Sequence, residues 1–235
     1  MADEIRIGKR MISIWPGDQV VRAMDEQRQV IRTRFKDHEH YHPSLSQAIA
    51  ARVGDPAVAA QHHRALGGIK LYELENSTHP AVRLLNARAL ALFKIATGAA
   101  HGVIDTGWAN VFQSGDYITA HSHIRAKGSV VYCLDGGDGD AAAASNNRFA
   151  GQLCIIDPRY PPCCKIKAGC MTNPVILKMR PGAMICFPAA LVHAVHPHEG
   201  TRPRITFAWN ITETKLPGDT LSALKLDSAA RFDAN

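Results

Sequence analysis

From Thr106 onward the chain is written in short alternating runs broken by turns, and few folds accommodate that pattern. Candidate strands occupy residues 108–113, 117–123, 128–134, 152–156, 175–179, 183–187, 192–195 and 204–210. Between them stand turn signals at Gly115 and Asp116, from Gly136 to Gly139, and at Pro181 and Gly182, with residues 141–150 reading as a loop tip. Polar backbone groups on so many short strands need lateral partners, and closing two sheets against each other supplies them. The expectation is a mainly β fold with flanking helices, a double-sheet barrel or jelly roll.

The chain upstream reads differently. Residues 12–15 suggest a short edge strand, stopped by Pro16 and Gly17. Asp18 opens a pattern in which Val20, Val21, Met24, Ile31 and Phe35 fall near helical spacing. Short helices are expected after Ser44 or Ser46 and over residues 56–66, with a strand over 69–74. The strongest helix covers residues 80–97: Pro80 suits the first turn, Val82, Leu85, Ala89, Leu92, Phe93 and Ala96 share one apolar face, and Gly98 closes it. A helix of this kind shields one face of a sheet, and no linker separates it from the strands. Residues 1–235 are therefore read as one domain: 1–104 mostly helical support with strands, 105–211 the β core, and 212–235 a tail that is loose or ends in a short helix.

A chain of 235 residues can bury a sizeable core. The 27 basic and 21 acidic residues leave a charge of +6, scattered rather than drawn into the basic stripe of a nucleic-acid surface. An anionic small substrate uses such a balance equally well. No apolar run is long enough to span a membrane and no apolar signal core opens the chain, so the expected location is the cytoplasm, with the six cysteines reduced. Cys163, Cys164 and Cys170 lack metal-site spacing and read as incidental. The histidines at 38, 40, 42, 62 and 63 read as exposed loop residues.

His121 and His123 are different. On an extended strand, side chains two positions apart project to one face about 6–7 Å apart, so both imidazoles can grip one metal ion if a third ligand arrives from elsewhere. The best supplier is His193, in the block FPAALVHAVHP. Ligands from distant strands fit the mouth of a barrel better than a zinc finger, whose ligands come in close pairs. Three ligands on one octahedral face leave three positions open, as in non-haem iron(II) oxygenases. Eleven positions after His193 comes Arg204, whose guanidinium is a rigid fork for a carboxylate, and Thr206 follows one strand period later. Trp108, Phe187, Phe207 and Trp209 read as core, His196 and His198 as outer-shell or exposed residues. Arg125 and Lys127 suit either an acidic substrate or a solvated strand end.

In order, WANVFQSGDYITAHSH, SVVYCLDG, DPR, PGAMICFPAALVHAVHP and RPRITFAWN resemble the iron(II)- and 2-oxoglutarate-dependent oxygenase superfamily, and within it a small bacterial branch of 2OG-Fe(II) oxygenases. The resemblance covers roughly residues 107–211; its most specific part is FP-x4-H-x-V-x-P followed by R-x-T. It implies a double-stranded β-helix holding Fe(II), with 2-oxoglutarate as cosubstrate, acting on a small-molecule or peptide substrate. It places His121 and His193 as metal ligands, Arg204 on the distal carboxylate of 2-oxoglutarate with Thr206 beside it, and Asn110 and Tyr132 as further polar contacts. Most of the superfamily has H-x-D or H-x-E where this chain has His121-Ser122-His123. Either His123 ligates, completing a three-histidine set, or it turns away and leaves a position to water or halide. Two rival readings stand beside the hydroxylase: a three-histidine dioxygenase that uses no oxo acid, and a metal- or ligand-holding barrel without catalysis. A homodimer is compatible with the sequence.

Overall fold

A computed structural model of the chain describes residues 3–25, 27–137, 149–156, 175–218 and 228–233. The cluster at Cys163, Cys164 and Cys170, the DPR motif, most of the expected loop tip and much of the tail lie outside the described residues.

The first part carries β1 (Glu4–Ile7), β2 (Arg10–Ser13), β3 (Arg22–Ala23), β4 (Ile31–Arg34), α1 (His42–Val53), α2 (Pro56–Ala59), β5 (Ile69–Tyr72) and α3 (Pro80–Thr97). The second carries β6 (Val103–Phe112), β7 (Ile118–His121), β8 (Gly128–Asp135), β9 (Leu153–Ile156), β10 (Val175–Leu177), β11 (Ala183–Pro188), β12 (Val192–Val195) and β13 (Arg204–Thr212). Two antiparallel sheets result, ordered β3-β4-β11-β8-β13-β6-β5 and β10-β9-β12-β7, with β1 and β2 forming a separate hairpin. This is the jelly roll the alternating runs called for.

The helix expected after Asp18 does not form. Arg28 turns the chain with φ 56°, and Ile31–Arg34 pairs with β11 instead, so hydrogen bonding to an open sheet edge outweighs a loose helical spacing. The first hundred residues thus contribute five strands as well as helices. The expected helix over 56–66 shrinks to the single turn of α2, capped by Asp55 on the Ala57 amide.

Each strand of the large sheet divides its side chains between two cores. Val130, Tyr132, Phe207, Trp209 and Ile211 face α1 and α3, where they join Leu45, Leu85, Leu92 and Phe93. Their neighbours Cys133 and Phe112, with Ile185 and Phe187 of β11, fill the space between the sheets against Leu153 and Ile155. Helix α3 begins at Pro80 and ends where Gly98, at φ 70°, returns its amide to the Lys94 carbonyl. One residue on its buried face is charged. Arg88 is fully enclosed, and all its donors are used: Nε reaches the Ile14 carbonyl, Nη1 reaches Asp37 and the Tyr41 hydroxyl, and Nη2 reaches the Ser13 carbonyl and Asp37 at 2.6 Å. Among the described residues no helix is long and apolar enough to cross a membrane.

Candidate metal centre

The small sheet brings the first two histidines together through its register. In the antiparallel pairing of β12 with β7, His193 stands directly opposite His121, and their ring centres are 4.2 Å apart. Strand β7 ends at His121, so His123 lies just beyond it, held by its backbone amide on the Ala189 carbonyl at 2.9 Å. Its ring still turns inward, 5.0 Å from His121 and 5.1 Å from His193. One nitrogen from each imidazole lies within 4.8 Å of the others, and this is the one such cluster among the described residues.

The chemical state of the rings suits a cation. Nδ1 of His121 is 2.8 Å from the Thr119 carbonyl and Nδ1 of His193 is 2.9 Å from that of Leu191. A carbonyl only accepts, so Nδ1 carries the proton in both, and Nε2 presents its lone pair. Burial, reinforced by the neighbouring imidazoles, lowers His123 to about 3; burial and then His121 lower His193 to about 4. His121 moves in the same direction, again mainly by burial. All three are neutral near pH 7, as ligands must be.

Beyond the triad the cavity is walled by alternate residues of β13, β6 and β5. Arg204, Thr206 and Asn110 line it, with Trp108 and Lys70. Arg204 is 3% exposed, its guanidinium carbon lies 4.9 Å from the Phe112 ring centre, and its Nη1 is buried without a hydrogen-bond partner. No carboxylate faces it among the described residues. The contrast with Arg88 is informative: the fold can satisfy a buried guanidinium completely, yet here it leaves a donor open beside the cavity. A bound carboxylate would fill that role. Thr206 pairs with Asn110 across to β6, and Asn110 Oδ1 accepts the Trp108 indole N–H at 3.1 Å.

Tyr132 does not belong with them. Its position on β8 points it to the helical side, where its hydroxyl bonds Tyr41 at 2.9 Å and His42 at 2.5 Å, away from the cavity. The resemblance implied a contact there that strand parity forbids. The same network corrects the reading of His42 as an exposed loop residue: burial drives it to about 3. His62 is exposed as expected, and its ring bonds the buried Asp116 at 2.9 Å. His198 is buried against the Arg202 carbonyl, and His196 stacks on Phe149. Arg125 is spent on Asp105 and Lys127 on Glu213. All four of Trp108, Phe187, Phe207 and Trp209 are buried, and Trp108 and Phe187 also line the cavity, Trp108 5.9 Å from the His123 ring centre.

Sequence reasoning missed Lys70. Its one signal was a charge inside the run Ile69–Tyr72, which at a sheet edge reads as solvent-facing. Two features aim it inward. Its cross-strand partner is Asn110, so it shares the face of the cavity wall. Gly68, at φ +73°, also lets β5 start hard against β6; a Cβ there would lie 2.2 Å from the Val111 carbonyl oxygen.

A jelly roll that gathers three imidazole nitrogens beside a buried guanidinium with an open donor could hold a cation next to a carboxylate. Comparison with known proteins points the same way. Residues 106–210 match the family model described as "Putative 2OG-Fe(II) oxygenase". Over those residues, less than half of the chain, the sequence is similar to the iron(II)- and 2-oxoglutarate-dependent oxygenases. No curated protein matches the sequence. Similar solved structures include AviO1 from Streptomyces viridochromogenes Tue57, at TM-score 0.58 and 14% identity over 84% of this chain and 96% of that one. EctD from S. alaskensis with bound Fe aligns at 0.57 and 15%, over 94% and 89%. The non-heme alpha ketoglutarate dependent epimerase SnoN from nogalamycin biosynthesis aligns at 0.59 and 12%, over 88% and 87%. At these identities the likeness is one of fold.

Proposed function

We propose that the chain hydroxylates a small organic substrate at an unactivated C–H bond, with His121, His123 and His193 holding Fe(II) and Arg204 holding 2-oxoglutarate. The observation that carries this reading is the open Nη1 of Arg204 in the same cavity as three neutral imidazoles. The donor set fits the ion: imidazole nitrogen suits iron, and the two Nδ1–H···O=C bonds fix the tautomer that leaves Nε2 free.

When bound, Fe(II) and 2-oxoglutarate supply oxidation of the substrate by oxygen, coupled to decarboxylation of the oxo acid to succinate and carbon dioxide. The protein's part is positioning. Arg204 grips the distal carboxylate of the cosubstrate, and the Thr206 hydroxyl on the same strand face donates beside it. Asn110 fixes the Trp108 indole, which with Phe187 forms a dry wall next to the histidines. Phe187 packs edge-on at 4.9 Å from the His193 ring centre and keeps that imidazole from rotating.

The all-histidine donor set favours a second reading, a dioxygenase that binds substrate directly to iron and uses no oxo acid. Arg204 separates the two. Adding 2-oxoglutarate to anaerobic Fe(II)-loaded protein should produce a visible metal-to-ligand charge-transfer band. Iron binding without that band would favour the second reading, and failure to release succinate with any substrate would leave a binding protein.

A further inference from the structure

Lys70 is the second cation in the cavity wall, and no carboxylate among the described residues neutralises it. It sits on β5 with its side chain on the face of Asn110 and Trp108, while Ile69 and Leu71 on either side enter the helical core. Its Nζ lies 5.5 Å from the Trp108 ring centre, its one polar or π contact among the described residues. Among the described residues no carboxylate pairs with it, although Arg125, Lys127, Arg202 and Arg231 all find one. Burial lowers its pKa to about 8, so the ammonium is held at a cost near neutral pH.

Charge in the site points the same way. The imidazole set contributes no negative ligand, so a divalent iron, Arg204 and Lys70 together outweigh the two carboxylates of 2-oxoglutarate. Arg204 already offers the cosubstrate a fork, and Lys70 stands on a different strand, on the Trp108 side of the cavity. The same indole lies 5.9 Å from the His123 ring, so one small molecule laid along Trp108 spans the metal ligand and the ammonium.

We propose that Lys70 anchors an anionic group of the primary substrate, a small organic acid whose oxidised carbon lies near His123 while its charge pairs with Nζ. The inference rests on the oxygenase reading above and adds the substrate class. Its bland competitor is structural: β5 ends the large sheet, and an inward lysine on an edge strand discourages pairing with another chain.

The test uses full-length protein loaded anaerobically with Fe(II) and 2-oxoglutarate, as wild type, Lys70→Met and Lys70→Arg. Probes are matched pairs: amino acids with their C-terminal amides, and alkyl phosphates and sulfonates with the corresponding alcohols. Thermal midpoints and the charge-transfer band report binding. Anions should raise the wild-type midpoint while their neutral partners do not, which also tells carboxylate from phosphate and sulfonate. Lys70→Met should weaken the best anion by about tenfold or more and Lys70→Arg should recover part of that, with 2-oxoglutarate affinity unchanged within about twofold. Equal response of acid and neutral partner, equal response of wild type and Lys70→Met, or no response to any anion overturns the proposal. So does a variant that loses affinity for 2-oxoglutarate instead, or one that merely aggregates. If wild type itself gives no band with 2-oxoglutarate, the oxygenase reading has failed, and the midpoints with the anion pairs still decide the role of Lys70.

Discussion

Replacing Arg204 by Met should weaken the cosubstrate and leave the empty protein as stable as before, a pairing of effects that a structural arginine does not give. In the fold, Arg204 is 3% exposed with an unpartnered Nη1, so removing its charge relieves a desolvation penalty and strands no carboxylate. The expected change in unfolding free energy is near zero or slightly favourable. The cosubstrate would lose a charge-assisted fork worth about 3 kcal/mol, roughly a hundredfold in affinity. Arg88→Met is the internal control. It removes five hydrogen bonds and leaves Asp37 without its cation, at a cost of about 3 kcal/mol, or a fall in midpoint of about 10 °C for a chain of this size. Thermal denaturation of the metal-free variants and titration of 2-oxoglutarate against the charge-transfer band give both quantities. If Arg204→Met melted as early as Arg88→Met and bound 2-oxoglutarate like wild type, the guanidinium would be a structural group and the oxygenase assignment would lose its main support.

Other consequences can be checked separately. His193→Ala should abolish iron retention through gel filtration, because it deletes the ligand opposite His121 in the sheet register; equal iron content by elemental analysis would refute the ligand assignment. His123→Asp should keep iron and lower the positive charge of the site, which a shift in the charge-transfer maximum would register. Glu75, which accepts the Gly107 amide, is raised by burial to about 7. Its folded pKa exceeds the unfolded one, so its contribution is full below about pH 4.5 and is lost as pH rises through about 7. Glu75→Gln should therefore gain about 1–2 kcal/mol relative to wild type between pH 5 and pH 8, after screening of a partly exposed group. Denaturant midpoints at the two pH values measure it, and a pH-independent difference would count against the shift.

What the sequence revealed follows from where its periodicities are unambiguous. The alternation in residues 108–113, 128–134 and 204–210 could satisfy only sheets, and the spacing of the apolar residues over Pro80–Thr97 could satisfy only a helix. Local patterns failed where a distant partner decides the outcome. Ile31–Arg34 is a strand because β11 offers it an edge, and nothing within residues 18–35 encodes that edge. The resemblance implied a polar contact at Tyr132, while the parity of Val131 and Cys133 on the other side of β8 turns it toward the helices. Lys70 was overlooked for the opposite reason: a charge next to Ile69 looks solvated until its register with Asn110 is known.

Among the described strands β7 pairs with β12, and a bridge from Ile118 to Leu66 supports its other side; the residue at its end faces His193. A cation shared by the two imidazoles would stitch the seam at the end of β7. Loading the enzyme and finishing the rim of its barrel would then be one event, and stripping the ion with a chelator would fray the mouth through which any substrate must pass.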